Sequence, residues 1–284
     1  MLRFGTTVTL NGLVTYVAYN MEKVLLGRFW GPAIVGIYGR AYQLTSIPTD
    51  NLNSAIGGVA FSALSRVQDD PARLRRYFLR GYSFVLALTV PITIVCALFA
   101  NDLIVVLLGP KWYGAIPIFR RLAPTILIFA LINPLGWLLL SLGLVRRSLK
   151  IALVIAPVVI CGYLIGLHYG PTGVALGYSI AMILLALPVM AWSVHGTAIS
   201  FRDIAKAASQ PLVSALVAAA MAWGVQAWCG HWLSPLPRLI LDGLVVLGAY
   251  LGMLLYVMGE KAFYLGLVRG LRNAPAEEEV LVSA

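Results

Sequence analysis

The sequence predicts an all-α, polytopic membrane protein, a helix bundle with about eight transmembrane helices. Hydrophobic residues make up 60% of the 284 positions and charged residues only 11%, whereas soluble domains carry about 25% charged residues. Apolar runs long enough to cross a bilayer, about 20 residues each, recur along the chain. The basic residues lie in short clusters between these runs, which is typical of membrane orientation signals.

Eight segments have membrane length. They are predicted at residues 4–27, 34–64, 81–99, 122–142, 151–168, 173–192, 211–228 and 239–258. The second segment is longer than a membrane needs, so we expect its ends to project or its helix to bend at Pro48. Residues 103–115 are too few to cross, and we expect an interfacial or re-entrant turn there.

The distribution of Lys and Arg predicts the orientation. With the N-terminus in the cytoplasm, the inner connections hold fourteen basic residues and the outer connections hold five. Both termini are therefore expected to be cytoplasmic. Residues 66–80 are interpreted as an inner loop with a helix lying at the anionic headgroups.

Several classes of function are not indicated by the sequence. The net charge of +10 is explained by the clusters between apolar runs, so no nucleic-acid partner is predicted. The three cysteines are isolated, and the three histidines lie at span ends without a ligand-spacing motif. No nucleophile elbow, Walker loop or dinucleotide fingerprint is present. We predict that the protein is not an enzyme and uses no metal or cofactor.

Small residues recur around the fifth and sixth segments. This pattern predicts close helix–helix packing in preference to a substrate site. Its members are Gly162, Gly166, Gly170, Gly173 and Gly177.

The first two segments carry polar residues at helical spacing. In the first they are Thr7, Asn11, Thr15 and Glu22, with Tyr16, Asn20 and Lys23 alongside; in the second they are Arg40, Gln43, Ser46, Asp50 and Asn53. Charges in hydrocarbon cost at least about 2.5 kcal/mol each, so we expect both helices to turn one polar face toward a shared cavity.

Two interpretations remain open for the charges. Lys23 and Arg40 lie near the outer ends of their segments, where snorkelling to the interface is the alternative to a functional role. Asp50 lies close to the middle of its segment, where a structural hydrogen bond is the alternative.

The stretch YNMEKVLLGRFWGPAIVGIYGRAYQLTSIP resembles the polysaccharide-exporter branch of the multidrug/oligosaccharidyl-lipid/polysaccharide flippase superfamily. That branch, the lipopolysaccharide and exopolysaccharide (O-antigen-type) flippases, shows an FG opening, an Asn-x-Asp-(Lys/Asn) pattern, an IGRFLG turn and a helix of the form lGxYxxAyxl…P. The matching positions here are Phe4, Gly5, Asn20, Lys23, Gly27, Arg28, Gly31, Gly36, Tyr38, Ala41, Tyr42 and Pro48. Glu22 replaces the usual aspartate and keeps its charge. Beyond the first sixty residues only the layout matches.

The resemblance implies two similar six-helix lobes around a central cavity, with this motif opening the second lobe. Residues 1–194 are then expected to form the second-lobe bundle, 195–270 two additional C-terminal transmembrane helices, and 271–284 a disordered cytoplasmic tail. A longer chain or a separate partner chain would supply the missing N-terminal lobe.

The implied activity is export of an undecaprenyl-pyrophosphate-linked oligosaccharide across the bacterial inner membrane by alternating access. On this hypothesis cations and hydrogen-bonding groups bind the substrate. They are Asn20, Lys23, Arg40, Tyr42, Gln43 and Asn53. Asp50 and Glu22 are the candidates for ion or proton coupling.

Other functions remain alternatives. One is an exporter of small drugs or of another lipid-linked precursor, since the superfamily shares one fold. A membrane polysaccharide polymerase or ligase would need a large outer loop with catalytic Arg or His, and the outer loops here are short. A non-transporting scaffold subunit of a polysaccharide assembly complex is the third alternative.

Overall fold

The computed structural model describes residues 2–229 and 234–258, and within these ranges it contains helices and no strand. The predicted all-α class is therefore confirmed. The ten α-helices are α1 (Leu2–Trp30), α2 (Pro32–Arg66), α3 (Pro71–Leu98), α4 (Ala100–Leu107), α5 (Ile116–Leu122), α6 (Pro124–Ser141), α7 (Val145–Leu167), α8 (Gly170–Val194), α9 (Phe201–Cys229) and α10 (Pro235–Gly252). A 3₁₀ helix, Pro110–Ala115, precedes α5, and a π-helical turn, Met253–Val257, follows α10.

Eight of these helices are long, and they correspond in order to the eight predicted segments. Six of them, α3 and α6 to α10, are long and apolar enough to cross a membrane. The protein is therefore a multi-pass membrane protein. Helices α1 and α2 have the length, with 29 and 35 residues, but do not reach the same apolar content because polar side chains recur along them.

A tight turn joins α1 to α2. Gly31 adopts φ 80°, a left-handed conformation that favours glycine, and Pro32 starts α2 with a preset φ. At 35 residues, α2 is about 52 Å long and exceeds the hydrocarbon thickness, and the projection of its ends beyond the membrane stays a prediction. It continues through Pro48 as a single helix.

Helix α3 differs from its prediction. The Asp70 carboxylate accepts hydrogen bonds from the Ala72 and Arg73 N–H groups at 3.1 and 3.0 Å, and Pro71 follows this N-cap directly. The helix then continues to Leu98, through Pro91. The separate headgroup helix expected within 66–80 is wrong, because residues 71–80 form the first part of α3 and residues 67–70 form the turn before it.

The region predicted as an interfacial or re-entrant turn consists of short elements. Helix α4, the 3₁₀ helix and α5 contain eight, six and seven residues, so none of them can cross a bilayer. Gly109, at φ 88°, separates α4 from the 3₁₀ helix. These elements pack against α2, α8 and α10 at one end of the bundle.

Helices α7 and α8 form the tightest pair. A Cβ on Gly162 would lie 2.7 Å from the Gly177 carbonyl oxygen, and a Cβ on Gly166 would collide with the Gly173 carbonyl. The predicted close packing is therefore confirmed for these four glycines. Gly170 has a different role, because it adopts φ 76° where α8 begins.

The last two helices pack on the preceding bundle. Helix α9 lies against α3, and α10 lies against α9 and α4. Arg238 of α10 donates from Nε to Asp102 of α4 at 2.7 Å, and its Nη2 contacts the same carboxylate. The division at residue 194 stays a prediction, and the expected tail, residues 271–284, lies outside the described residues.

Candidate functional site

Helix α2 presents its polar stripe away from the bundle. Positions 40, 43, 47, 50 and 54 are exposed, whereas 38, 41, 45 and 49 on the opposite side are buried. At 100° per residue these two sets occupy opposite faces of one helix. Arg40, Gln43 and Asp50 therefore share an open surface. They do not line the interior of this bundle.

The two cations lie at similar depth beside the α1–α2 turn. Lys23 is eight residues before Gly31 and Arg40 is nine residues after it, about 12–14 Å along each helix. Both are exposed, and both are held by neighbouring amides. Lys23 Nζ donates to Asn20 Oδ1 at 2.6 Å, and Arg40 Nη1 donates to Gln43 Oε1 at 2.9 Å. Each contact joins residues three positions apart, so it holds the cation against its own helix.

Arg40 makes a further contact with the short elements. Its guanidinium carbon lies 5.9 Å from the ring centroid of Trp112, within range of a cation–π interaction. This contact keeps the guanidinium near the membrane end of α2 without neutralising its charge.

Helix α1 divides its polar residues between two faces, contrary to the single face expected. Asn20 and Lys23 lie on the open side, whereas Asn11, Thr15 and Glu22 turn toward α7 and the bundle interior. Asn11 Nδ2 donates to Ser148 Oγ of α7 at 3.2 Å. The expectation that all the polar positions of α1 face one shared groove is therefore wrong. Residues 11, 15, 18, 22 and 26 form the helix face that packs on α7.

A partly open cavity of about 270 Å³ lies behind this face. Its polar lining includes Asn11, Thr15, Asn53, Asn133 and Ser148, and the rest of its wall comes from α1, α6, α7 and α8. Asn53, the last residue of the α2 stripe, connects this cavity to the stripe.

Glu22 is fully buried, with 0% of its side chain exposed. Among the described residues, neither of its carboxylate oxygens has a hydrogen-bond partner. Glu22 interacts electrostatically with Tyr38, Tyr42 and Tyr163, and the Tyr163 ring stacks on Tyr178 with centroids 5.4 Å apart. Burying a carboxylate without a hydrogen-bond partner is costly, which makes Glu22 a candidate for binding a proton or a cation.

The remaining members of the predicted set are placed as follows. Asp50 is exposed near the midpoint of α2. Tyr42 is half-buried, and its ring centroid lies 6.5 Å from that of Tyr178. The Asn53 Oδ1 accepts a hydrogen bond from the Trp137 indole N–H at 3.1 Å. Tyr42 thus lies between the outer stripe and the buried tyrosines, and Asn53 links α2 to α6.

Sequence reasoning missed the groups contributed by later helices. Trp137, Tyr163 and Tyr178 lie in nearly uncharged spans, where aromatic residues are ordinary. The available signal was a tyrosine directly after two of the four packing glycines, at Gly162-Tyr163 and Gly177-Tyr178. Among the described residues, no group of three or more His, Cys, Asp or Glu side chains is placed to hold a metal ion.

Comparisons with known proteins give consistent matches. Residues 1–117 match the family model described as polysaccharide biosynthesis protein. The chain is 29% identical over 187 residues to the lipopolysaccharide biosynthesis protein WzxC of Escherichia coli (strain K12), covering 64% of this chain and 37% of that protein. It is 31% identical over 140 residues to the teichuronic acid biosynthesis protein TuaB of Bacillus subtilis (strain 168), covering 49% of this chain and 29% of that protein.

A solved structure shows the same fold. The inward closed conformation of the lipid II flippase MurJ matches with a TM-score of 0.70 at 15% identity, over 91% of this chain and 53% of that chain. The chain thus spans about half of that transporter and 37% of WzxC. Together these matches confirm the resemblance inferred from the first sixty residues.

Proposed function

We propose that this chain, which resembles the polysaccharide-exporter branch of the flippase superfamily, forms one lobe of a transporter for undecaprenyl-pyrophosphate-linked oligosaccharides. The transporter would move its substrate from the inner to the outer leaflet of the bacterial inner membrane, for lipopolysaccharide or exopolysaccharide biosynthesis. The observation that carries this proposal is the exposed stripe with Lys23, Arg40 and Gln43 on a bundle otherwise suited to lipid.

The chemistry of the stripe fits such a substrate. A pyrophosphate is anionic, and the planar guanidinium of Arg40 can bind its oxygens in a bidentate manner while Lys23 adds a point charge. Both cations now donate to neutral amide oxygens, of Gln43 and Asn20. Phosphate oxygens would replace these acceptors and release the amides for sugar hydroxyls. Tyr42 and Asn53 would extend the hydrogen-bonding surface.

The same stripe supports the presence of a second lobe. Exposing amides, a carboxylate and two cations to acyl chains would cost several kcal/mol, so another protein surface would enclose a wet cavity over α1 and α2. A second six-helix lobe, encoded with this chain or separately, would provide it. Rocking of the two lobes would give alternating access.

The basic clusters support an orientation in which both termini and residues 66–80 would lie in the cytoplasm. Introducing a cysteine at Ala72 in a background without native cysteines tests this. A membrane-impermeant maleimide should label it only after the cells are opened. Labelling of intact cells would reverse the orientation.

Coupling to an ion gradient would use a carboxylate. Glu22 is enclosed and unpaired, and Asp50 lies on the stripe, so the two variants Glu22→Gln and Asp50→Asn separate the candidates. Each substitution keeps the shape and removes the titration. The coupling residue is the one whose amide variant folds and binds substrate but loses gradient-driven export. If both variants export normally, neither carboxylate couples.

Export of the lipid-linked saccharide tests the substrate assignment. In a strain that depends on the complete transporter, Arg40→Ala should reduce export by at least about tenfold, and Arg40→Lys should recover only part of it. Arg66→Ala is the matched control, because Arg66 is also exposed on α2 but lies at its far end. Normal polysaccharide yield with Arg40→Ala would assign Arg40 to interfacial snorkelling and favour a scaffold role for the chain.

A further inference from the structure

A second cavity lies at the end of the bundle where the chain passes from α6 to α7. It is distinct from the polar stripe of α2 and from the cavity behind α1. It has a volume of about 530 Å³. Phe4 and Thr7 of α1, the 143–145 turn, and Trp192 of α8 form its walls, together with three basic residues of α7. Since α6, α7 and α8 can each cross a membrane, their common end lies at the membrane–water boundary.

The basic residues give this cavity a strong positive charge. Arg146, Arg147 and Lys150 line it within five positions of sequence, and no acidic residue of the described chain lines it. None of the ion pairs between described residues includes any of the three. The first turn of α7 also lacks an acidic residue and a side-chain cap, so its positive helix end adds to the field.

Arg147 forms part of the cavity wall and is held in place by backbone carbonyl groups at the end of α8. Its Nη1 donates to the His195 carbonyl oxygen at 2.5 Å and approaches the Ser193 carbonyl oxygen at 3.5 Å. These contacts join the start of α7 to the end of α8. They satisfy hydrogen-bond donors while leaving the positive charge without a counterion. Arg146 and Lys150, both exposed, lie on the same helix within about one turn.

We propose that this cavity binds the phosphate of an anionic phospholipid headgroup. Three cations without a carboxylate partner match a phosphodiester, and a basic recess at the cytoplasmic boundary is a favourable place for an anionic lipid. Trp192 and Phe4, which are 38% and 48% exposed, supply amphipathic and apolar surface for the glycerol and upper acyl region. The bound lipid bridges α1, α7 and α8, and so stabilises α1 against the rest of the bundle.

Orientation alone would explain basic residues here, because the positive-inside bias needs only charge in the connection. The positive-inside bias does not require the charges to lie in one cavity. It also does not distinguish the three cations of the cavity from other cations at the same membrane end. The exposed pair Arg202 and Lys206 lies at that end, near the start of α9 and outside the cavity. That pair provides a control of equal charge.

The test uses the full chain in phosphatidylcholine nanodiscs that contain increasing fractions of phosphatidylglycerol. The chain is transferred out of the nanodiscs, and the phosphatidylglycerol that it retains is measured. The double variant Arg146→Gln/Lys150→Gln should weaken retention by at least about tenfold, whereas Arg202→Gln/Lys206→Gln should change it by less than about twofold. If the two double variants lose phosphatidylglycerol retention equally, general surface charge explains the retention and the proposal is overturned.

Thermal stability of the purified chain distinguishes the lipid from free phosphate. Added phosphatidylglycerol should raise the unfolding temperature of the wild type and of the Arg202→Gln/Lys206→Gln control, but not that of the cavity variant. Inorganic phosphate at matched concentration should have no such effect. An equal rise with inorganic phosphate would overturn the lipid assignment, and an unaltered rise in the cavity variant would overturn the location.

Discussion

The contact between α7 and α8 offers the sharpest test of the packing argument. In Gly162→Ala the new methyl group would lie 2.7 Å from the Gly177 carbonyl oxygen and 3.1 Å from the Ala181 Cβ. Neither neighbour is the flexible end of a long side chain. The backbone carbonyl cannot move without moving its helix, so the two helices must separate.

The size of the effect follows from this geometry. Ordinary van der Waals contact begins near 3.4 Å, so relieving the collision with the Gly177 oxygen requires a separation of about 0.7 Å. A gap of that size forfeits about a quarter to a half of the dispersion energy across the contact. Overpacking of this kind costs about 1–3 kcal/mol, and on the scale of soluble domains that lowers the unfolding temperature by about 2–10 °C.

The control is Gly81→Ala on α3. Gly81 is also helical, but no atom lies within 4 Å of the position that its new methyl group would take. The control therefore gains helix propensity without a collision, and its unfolding temperature should stay equal or rise slightly. Thermal unfolding of both variants in the same detergent measures the difference. If Gly162→Ala is as stable as Gly81→Ala, the backbone contact between α7 and α8 is not tight and the reasoning fails.

Three further outcomes are expected. Asp102→Ala should destabilise the chain by about 3 kcal/mol in detergent unfolding, because it removes the buried carboxylate that Arg238 contacts, and Asp102→Leu with Arg238→Leu should recover most of the loss. Ser200→Ala should cost about 1 kcal/mol in the same assay, because Ser200 Oγ accepts from the Asp203 N–H at 3.2 Å as part of a capping box. Asn53→Ala should remove the acceptor of the Trp137 indole N–H, which lies 3.1 Å away, and so increase the solvent exchange of that N–H by nuclear magnetic resonance; unchanged exchange would show that the hydrogen bond does not form in solution.

The number and type of long helices could be predicted from the sequence. Hydrophobic length is nearly sufficient for this, because every backbone group in a membrane must be paired within its own helix. The stripe of α2 was also predictable. Its polar residues recur at steps of three and four, and the structure places them on one exposed face. The predicted start of α3 was wrong, because the prediction separated the Arg-rich residues 71–80 from the apolar run that follows them in the same helix.

The two faces of α1 could not be separated from the sequence. Polar residues occur around most of its circumference, so periodicity alone gives no preferred direction. The direction is fixed by partners more than 130 residues away, such as Ser148, which accepts from Asn11. Glu22 turns inward for the same reason. Its neighbour Tyr163 comes from α7 and stacks on Tyr178 of α8, and these two helices approach closely because of their glycines.

This arrangement gives Tyr42 a particular importance in any coupled mechanism. The outer stripe faces the region where a second lobe and substrate would lie, whereas Glu22 is insulated from it. Tyr42 is on α2 next to Gln43 of the stripe, interacts electrostatically with Glu22, and contacts the Tyr178 ring at 6.5 Å. A rotation of α2 that changes the direction in which the polar stripe faces would therefore also move Tyr42 relative to the buried tyrosines. Substrate binding outside and proton or cation occupancy inside would then bias the same helix, which is the physical requirement for coupling between two separate sites.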